Sequence, residues 1–91
     1  MSATNGIQSR IRFFILQKFA TARKRVLKDC DPLLESGIID SLGVLDVVGF
    51  LEETFMIKIE DEELIPDNFG SIQLLTSFVQ RKQSRVEVSA G

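Results

Sequence analysis

Apolar residues at Ile7, Ile11, Phe14, Ile15 and Phe19 return every three or four positions, widened by Phe13, Leu16 and Ala20 and backed by polar Gln8, Arg12, Gln17 and Lys18. This spacing predicts an amphipathic helix over about residues 6–24. A second run starts at Ser41, with Leu42, Leu45, Val48 or Gly49, Leu51 or Glu52, and Phe55 near helical period, and predicts a helix over about 41–55. A third, from Asn68 as N-cap to about Gln83, carries Ile72, Leu75, Phe78 and Val79, with Phe69 and Leu74 alongside. Between the first two lies a long loop, about 25–40, broken by Pro32 and Gly37 and tucking in Val26, Leu27, Leu33, Leu34, Ile38 and Ile39. Met56-Ile57-Lys58-Ile59 is a short connection, and Glu60 to Leu64 a brief helical turn ended by Pro66. The expected fold is all-α: a small four-helix bundle with three long helices and one short. Residues 1–6 read as a flexible leader, 7–83 as the folded domain and 84–91 as a frayed tail, where Val86 and Val88 alternate over too short a span for a strand.

A chain of 91 residues with 44% hydrophobic content suits one small domain, expected to be a monomer. Phe13-Phe14-Ile15-Leu16 is too short to span a bilayer, so no transmembrane segment is expected. Met1 to Gly6 lacks the basic and apolar regions of a secretion signal, and the expected location is cytoplasmic. Cys30 is the only cysteine, which excludes an internal disulfide and a zinc site built from thiolates; it reads as an incidental thiol. There is no His, the commonest general base. A self-contained hydrolase or metalloenzyme is therefore not expected, and the acidic run Glu60-Asp61-Glu62-Glu63 lacks the spacing of a calcium loop.

The net charge of −2 conceals a strong segregation. Residues 1–29 set seven cations against Asp29, residues 30–80 set eleven acids against Lys58, and residues 81–91 return to +2. The acidic middle disfavours nucleic acid and favours basic protein partners. Arg23-Lys24-Arg25 reads as a solvated helix end whose cations complement the helix dipole.

Ser41 lies in that acidic middle, at the junction of loop and helix in Leu34-Glu35-Ser36-Gly37-Ile38-Ile39-Asp40-Ser41-Leu42. A helix start carries unpartnered N–H groups and partial positive charge, so an anionic ester on Ser41 would be well placed. Asp and Ser before an apolar run are also ordinary capping residues. The Asp40-Ser41-Leu42 triplet resembles the attachment site of the acyl carrier protein family and its peptidyl and D-alanyl relatives. The likeness extends over about residues 7–83. Leu51-Glu52-Glu53-Thr54-Phe55 is similar to the end of that family's second helix, Ile57-Lys58-Ile59 with the following acids to its extended segment and short helix, and Phe69-Gly70-Ser71-Ile72 to the opening of its last helix.

The resemblance implies 4'-phosphopantetheine on Ser41, delivered from coenzyme A by a phosphopantetheinyl transferase with Mg²⁺, and no catalytic activity of the chain's own. Asp40 and Leu42 then flank the modified serine, Asp40 either capping the helix or placing the metal during transfer. The helix after Ser41 becomes the partner-binding element, with Asp46, Val47, Glu52 and Glu53 facing a ligase, acyltransferase or synthase. Cargo stays open between an acyl group and an aminoacyl group loaded by an adenylating ligase. Gly43 departs from the acidic residue common there in fatty-acid carriers. Gly43 and Gly49 each cost a helix roughly 0.5–1 kcal/mol relative to Ala. Two such residues imply close packing or a partner approaching the backbone, and point to a carrier of a specialised lipid or secondary-metabolite pathway.

Overall fold

Helices form where the apolar period is sustained and stop where backbone chemistry changes. A computed structural model of the chain describes residues 3–24 and 26–90. The elements are α1 (Ala3–Lys18), α2 (Ala20–Arg23), α3 (Ser41–Phe55), a 3-10 turn (Asp61–Glu63), α4 (Pro66–Phe69) and α5 (Ile72–Ala90). The architecture is the expected all-α bundle. Its core takes Ile7, Ile11 and Ile15 from α1, Val47, Leu51 and Phe55 from α3, and Ile72, Leu75, Phe78 and Val79 from α5. Leu33, Ile38 and Ile39 come in from the long loop.

Several boundaries and faces differ from the sequence expectation. The first helix breaks at Phe19, and Arg23 donates from Nη1 to the carbonyls of Leu16 at 2.8 Å and Gln17 at 2.9 Å. That contact satisfies acceptors left over at the end of α1. It also gives Arg23 the dipole-complementing role read from the basic stretch. Arg25 lies outside the described residues. Phe13 faces solvent at 65% exposure, because the α1 stripe through Ile7, Ile11 and Ile15 leaves it on the outer side. Pro66 opens α4 at its first turn, where its missing N–H costs nothing. Asn68 is not the cap of the last helix: its side chain bridges the Glu63 carbonyl at 2.9 Å and Arg81 at 2.9 Å. Ser71 caps instead, accepting from the Leu74 N–H at 3.1 Å. The backbone of α1 begins at Ala3, inside the segment expected as a leader. That of α5 runs on to Ala90, with no Gly or Pro between Ile72 and Ala90 to stop it.

The loop ahead of Ser41 is pinned on both sides. Asp29 pairs with Arg12, accepts from Gln8, and through its carbonyl accepts from the Gln73 N–H at 2.9 Å. Arg12 also donates to the Leu27 carbonyl at 2.6 Å. Further on, the Leu33 N–H donates to the Gly70 carbonyl at 2.7 Å and the Ile39 N–H to the Leu33 carbonyl at 3.0 Å. Gly37, at φ 82°, takes the left-handed conformation that turns the chain back toward α3. The far end of α3 closes on Met56 at φ 55°, a left-handed cap occupied by a residue with a Cβ and 80% exposed. Replacing it relieves that strain without removing a buried contact. Met56→Gly is expected to stabilise the fold by about 0.5–1 kcal/mol in urea unfolding, and a destabilised variant would show that Met56 makes a contact worth more than the strain.

Candidate functional site at the start of the third helix

Asp40 is the N-cap of α3, in extended conformation at φ −98° and ψ −174°, and its Oδ1 accepts from the Gly43 N–H at 2.7 Å. Of the roles open to Asp40, capping is the one this geometry fills. Ser41 is therefore the first helical residue. It is exposed, and among the described residues its hydroxyl has no protein partner. Asp40 takes the Gly43 N–H, and the N–H groups of Ser41 and Leu42 before it lack intrahelical acceptors, so an anion on Ser41 Oγ meets donors and the positive end of the dipole. Leu42, beside it, is 74% exposed.

Gly43, Val47, Leu51 and Phe55 form the buried stripe of α3. Val47 is 1% exposed and belongs to the core, which corrects its expected placement on a partner face. The spacing i, i+4 from Gly43 puts it inward, one position out of phase with the stripe read through Leu42 and Leu45. The outward face instead runs through Leu42, Leu45, Asp46, Gly49, Glu53 and Met56. Asp46 lies on that face, 3.9 Å from Lys18 Nζ, a half-exposed pair that adds little stability. Glu53 is exposed. Glu52 is half-buried, and its Oε2 accepts from the Ile59 N–H at 2.9 Å, so it holds the segment after α3 in place.

Leu45 was not singled out as a contact residue in the sequence, yet at 59% exposure it stands about one turn from Ser41 on the same side of the helix. Its signal was the i+4 spacing from Ser41, masked by the apparent apolar stripe. The site therefore combines an exposed hydroxyl, two exposed leucines and two acids on one rigid helix. Gly43 accounts for one of the two departures noted above: an added Cβ would lie 2.8 Å from Phe19 Cε1, so the position is closely packed. Around Gly49 there is open space. Cys30 is exposed on the loop. Among the described residues, no helix is long and apolar enough to cross a membrane.

No protein-family model matches the chain. Individual proteins do. The chain is similar to a probable acyl carrier protein, PigG, of Serratia sp., with 31% identity over 81 residues, covering 89% of this chain and 93% of that protein. It is also similar to the acyl carrier protein of Buchnera aphidicola subsp. Acyrthosiphon pisum, with 30% identity over 77 residues, 85% of this chain and 92% of the relative. Identity of this order, sustained across nearly the full length of both partners and a helical bundle with no strand among its described residues, makes the chain a member of the acyl carrier protein family, a carrier rather than an enzyme.

Proposed function

We propose that Ser41 bears 4'-phosphopantetheine and that the chain shuttles acyl groups as thioesters between partner enzymes of a specialised lipid or secondary-metabolite pathway in the cytoplasm. The family generally carries this prosthetic group. The observation that carries the assignment to Ser41 is its exposed, unpartnered hydroxyl at the first position of a helix fixed by the Asp40 cap. A serine hydroxyl needs a base to become a nucleophile, and this chain has no His; the base belongs to a phosphopantetheinyl transferase. In that step the Ser41 oxygen bonds to the phosphorus nearer pantetheine, the pyrophosphate link of coenzyme A breaks, adenosine 3',5'-bisphosphate leaves with the electron pair, and the hydroxyl proton passes to the transferase. Once attached, the arm supplies a thiol that holds the cargo as a thioester.

The chain's own residues present the serine and offer the docking face. Asp46 and Glu53 supply negative charge toward basic patches on a ligase, acyltransferase or synthase, while Leu42 and Leu45 supply apolar contact close to Ser41. The intact mass of the chain isolated from its native host tests this reading, followed by hydroxylamine to release a thioester-bound group. The expected result is phosphopantetheine on Ser41 and a released group whose mass separates acyl from aminoacyl cargo. A chain unmodified at Ser41 in every growth condition, yet still supporting its pathway, would make it a docking module instead.

A further inference from the structure

Phe19, just past the end of α1, packs on Gly43 at the start of α3. The Arg23 guanidinium, bound to the carbonyls of Leu16 and Gln17, holds the break between α1 and α2 where Phe19 sits. The Phe19 N–H still donates to the Ile15 carbonyl at 3.0 Å, and the Phe19 carbonyl accepts from the Ala22 N–H at 3.0 Å, so the backbone at the break is fixed. Its ring stands edge-on to Phe14, with centroids 6.4 Å apart and planes at 86°, and Phe14 stacks on Phe50 of α3 at 4.2 Å. The ring thereby reaches Gly43. A Cβ there would lie 2.8 Å from Phe19 Cε1, 3.1 Å from Ile39 Cγ2 and 3.2 Å from Asp40 Oδ1. Gly43 is also the residue whose N–H closes the Asp40 cap, and the turn that this bond closes contains Ser41.

We propose that Phe19 is a positioning residue for Ser41: its ring, seated on the bare backbone of Gly43, fixes the first turn of α3 and so the way Ser41 is presented to the phosphopantetheinyl transferase. The proposal rests on the reading that Ser41 is modified. Gly43 and Phe19 are a matched pair in this account. A side chain at 43 meets the ring, Ile39 and the capping carboxylate together, so the ring must shift and the carboxylate that caps the turn must give. Gly49 lies on the same helix with open space around it and controls for the effect of an added Cβ on helix stability.

The experiment measures kcat/KM for phosphopantetheine transfer from coenzyme A, by a transferase that loads the wild-type chain, for Gly43→Ala, Gly49→Ala, Phe19→Leu and the Phe19→Leu/Gly43→Ala pair, each below its unfolding midpoint. Gly43→Ala is expected to lower kcat/KM about ten- to a hundredfold, the scale set by small misplacements of a reacting group. Phe19→Leu alone lowers it as well, because the ring no longer seats on position 43; the pair recovers most of the loss, because leucine lacks the Cε1 that collides and the methyl added at 43 fills the space the ring leaves. Gly49→Ala raises the unfolding midpoint, as a Cβ added in open space on a helix should, whereas Gly43→Ala lowers it. Hydrogen exchange of the position-43 amide in the unmodified chain supplies a second readout, expected to quicken in Phe19→Leu as the cap loosens. Wild-type loading with a Gly43→Ala rate equal to it, or a pair no faster than Gly43→Ala alone, would overturn the role of Phe19 while leaving the Ser41 reading intact. Unchanged exchange in Phe19→Leu would overturn it as well. A wild-type chain that no transferase loads would overturn both.

Discussion

Phe78→Ala is expected to lower stability by about 3–5 kcal/mol in urea unfolding. Phe78 is fully enclosed, packs on Phe69 with ring centroids 5.5 Å apart, and lies under the cations of Arg81 and Lys82, each 5.9 Å from its centroid. Removing the ring deletes both the transfer free energy of a large apolar side chain and the contacts of α4 with α5 that it anchors. Small domains hold only about 5–15 kcal/mol in total. Most of that margin is therefore at stake. Phe13→Ala is the comparison: its ring faces water, and the change is expected to stay within about 0.5 kcal/mol. Equal losses for the two phenylalanines would contradict the core described above.

Leu51→Ala is expected to cost about 2–5 kcal/mol, whereas Leu45→Ala, on the same helix, stays within about 0.5 kcal/mol. Leu51 has no exposed surface and sits between Val47 and Phe55 in the inward stripe of α3. Leu45 is on the opposite side, near Ser41. The pair of unfolding curves tests the rotational phase of α3, and with it which side chains a partner meets. A large loss at Leu45 and a small one at Leu51 would turn the helix around and bury the surface assigned to docking.

The rotational phase of α3 is the feature that the apolar pattern misrepresents. On α1 and α5 the apolar positions stand out against polar ones, and Ile7, Ile11, Ile15, Leu75, Phe78 and Val79 were legible as core. α3 is apolar on most sides, so Leu42 and Leu45 imitated a buried stripe. The true stripe begins at Gly43, a residue with no side chain to signal burial, and its burial depends on Phe19 arriving from a distant part of the chain. Val47, four residues from Gly43, is buried with it, although the pattern through Leu42 and Leu45 turns it outward. The Asp40-Ser41-Leu42 junction was legible because capping is a local matter of one side chain and one N–H. The captures of Glu52 by the Ile59 N–H and of Asn68 by Glu63 and Arg81 are tertiary, and local spacing carries no trace of them.

The segregated charge acquires a structural meaning in this fold. Cations of the first helices are partly engaged within the chain, Arg12 on Asp29 and Leu27, Arg23 on the end of α1 and Lys18 beside Asp46, while Glu53 stands exposed on the outer face of α3. Encounter with a basic partner is thus directed to the helix that begins at Ser41.

Everything proposed for this chain turns on Ser41 as the point of attachment. The most direct measurement is the intact mass of the purified chain after incubation with coenzyme A, Mg²⁺ and broad-specificity phosphopantetheinyl transferases, for wild type and Ser41→Ala side by side. The wild type is expected to gain one phosphopantetheinyl group and Ser41→Ala none; a wild type left unmodified by several transferases, or a Ser41→Ala chain that is still loaded, would rule out attachment at Ser41.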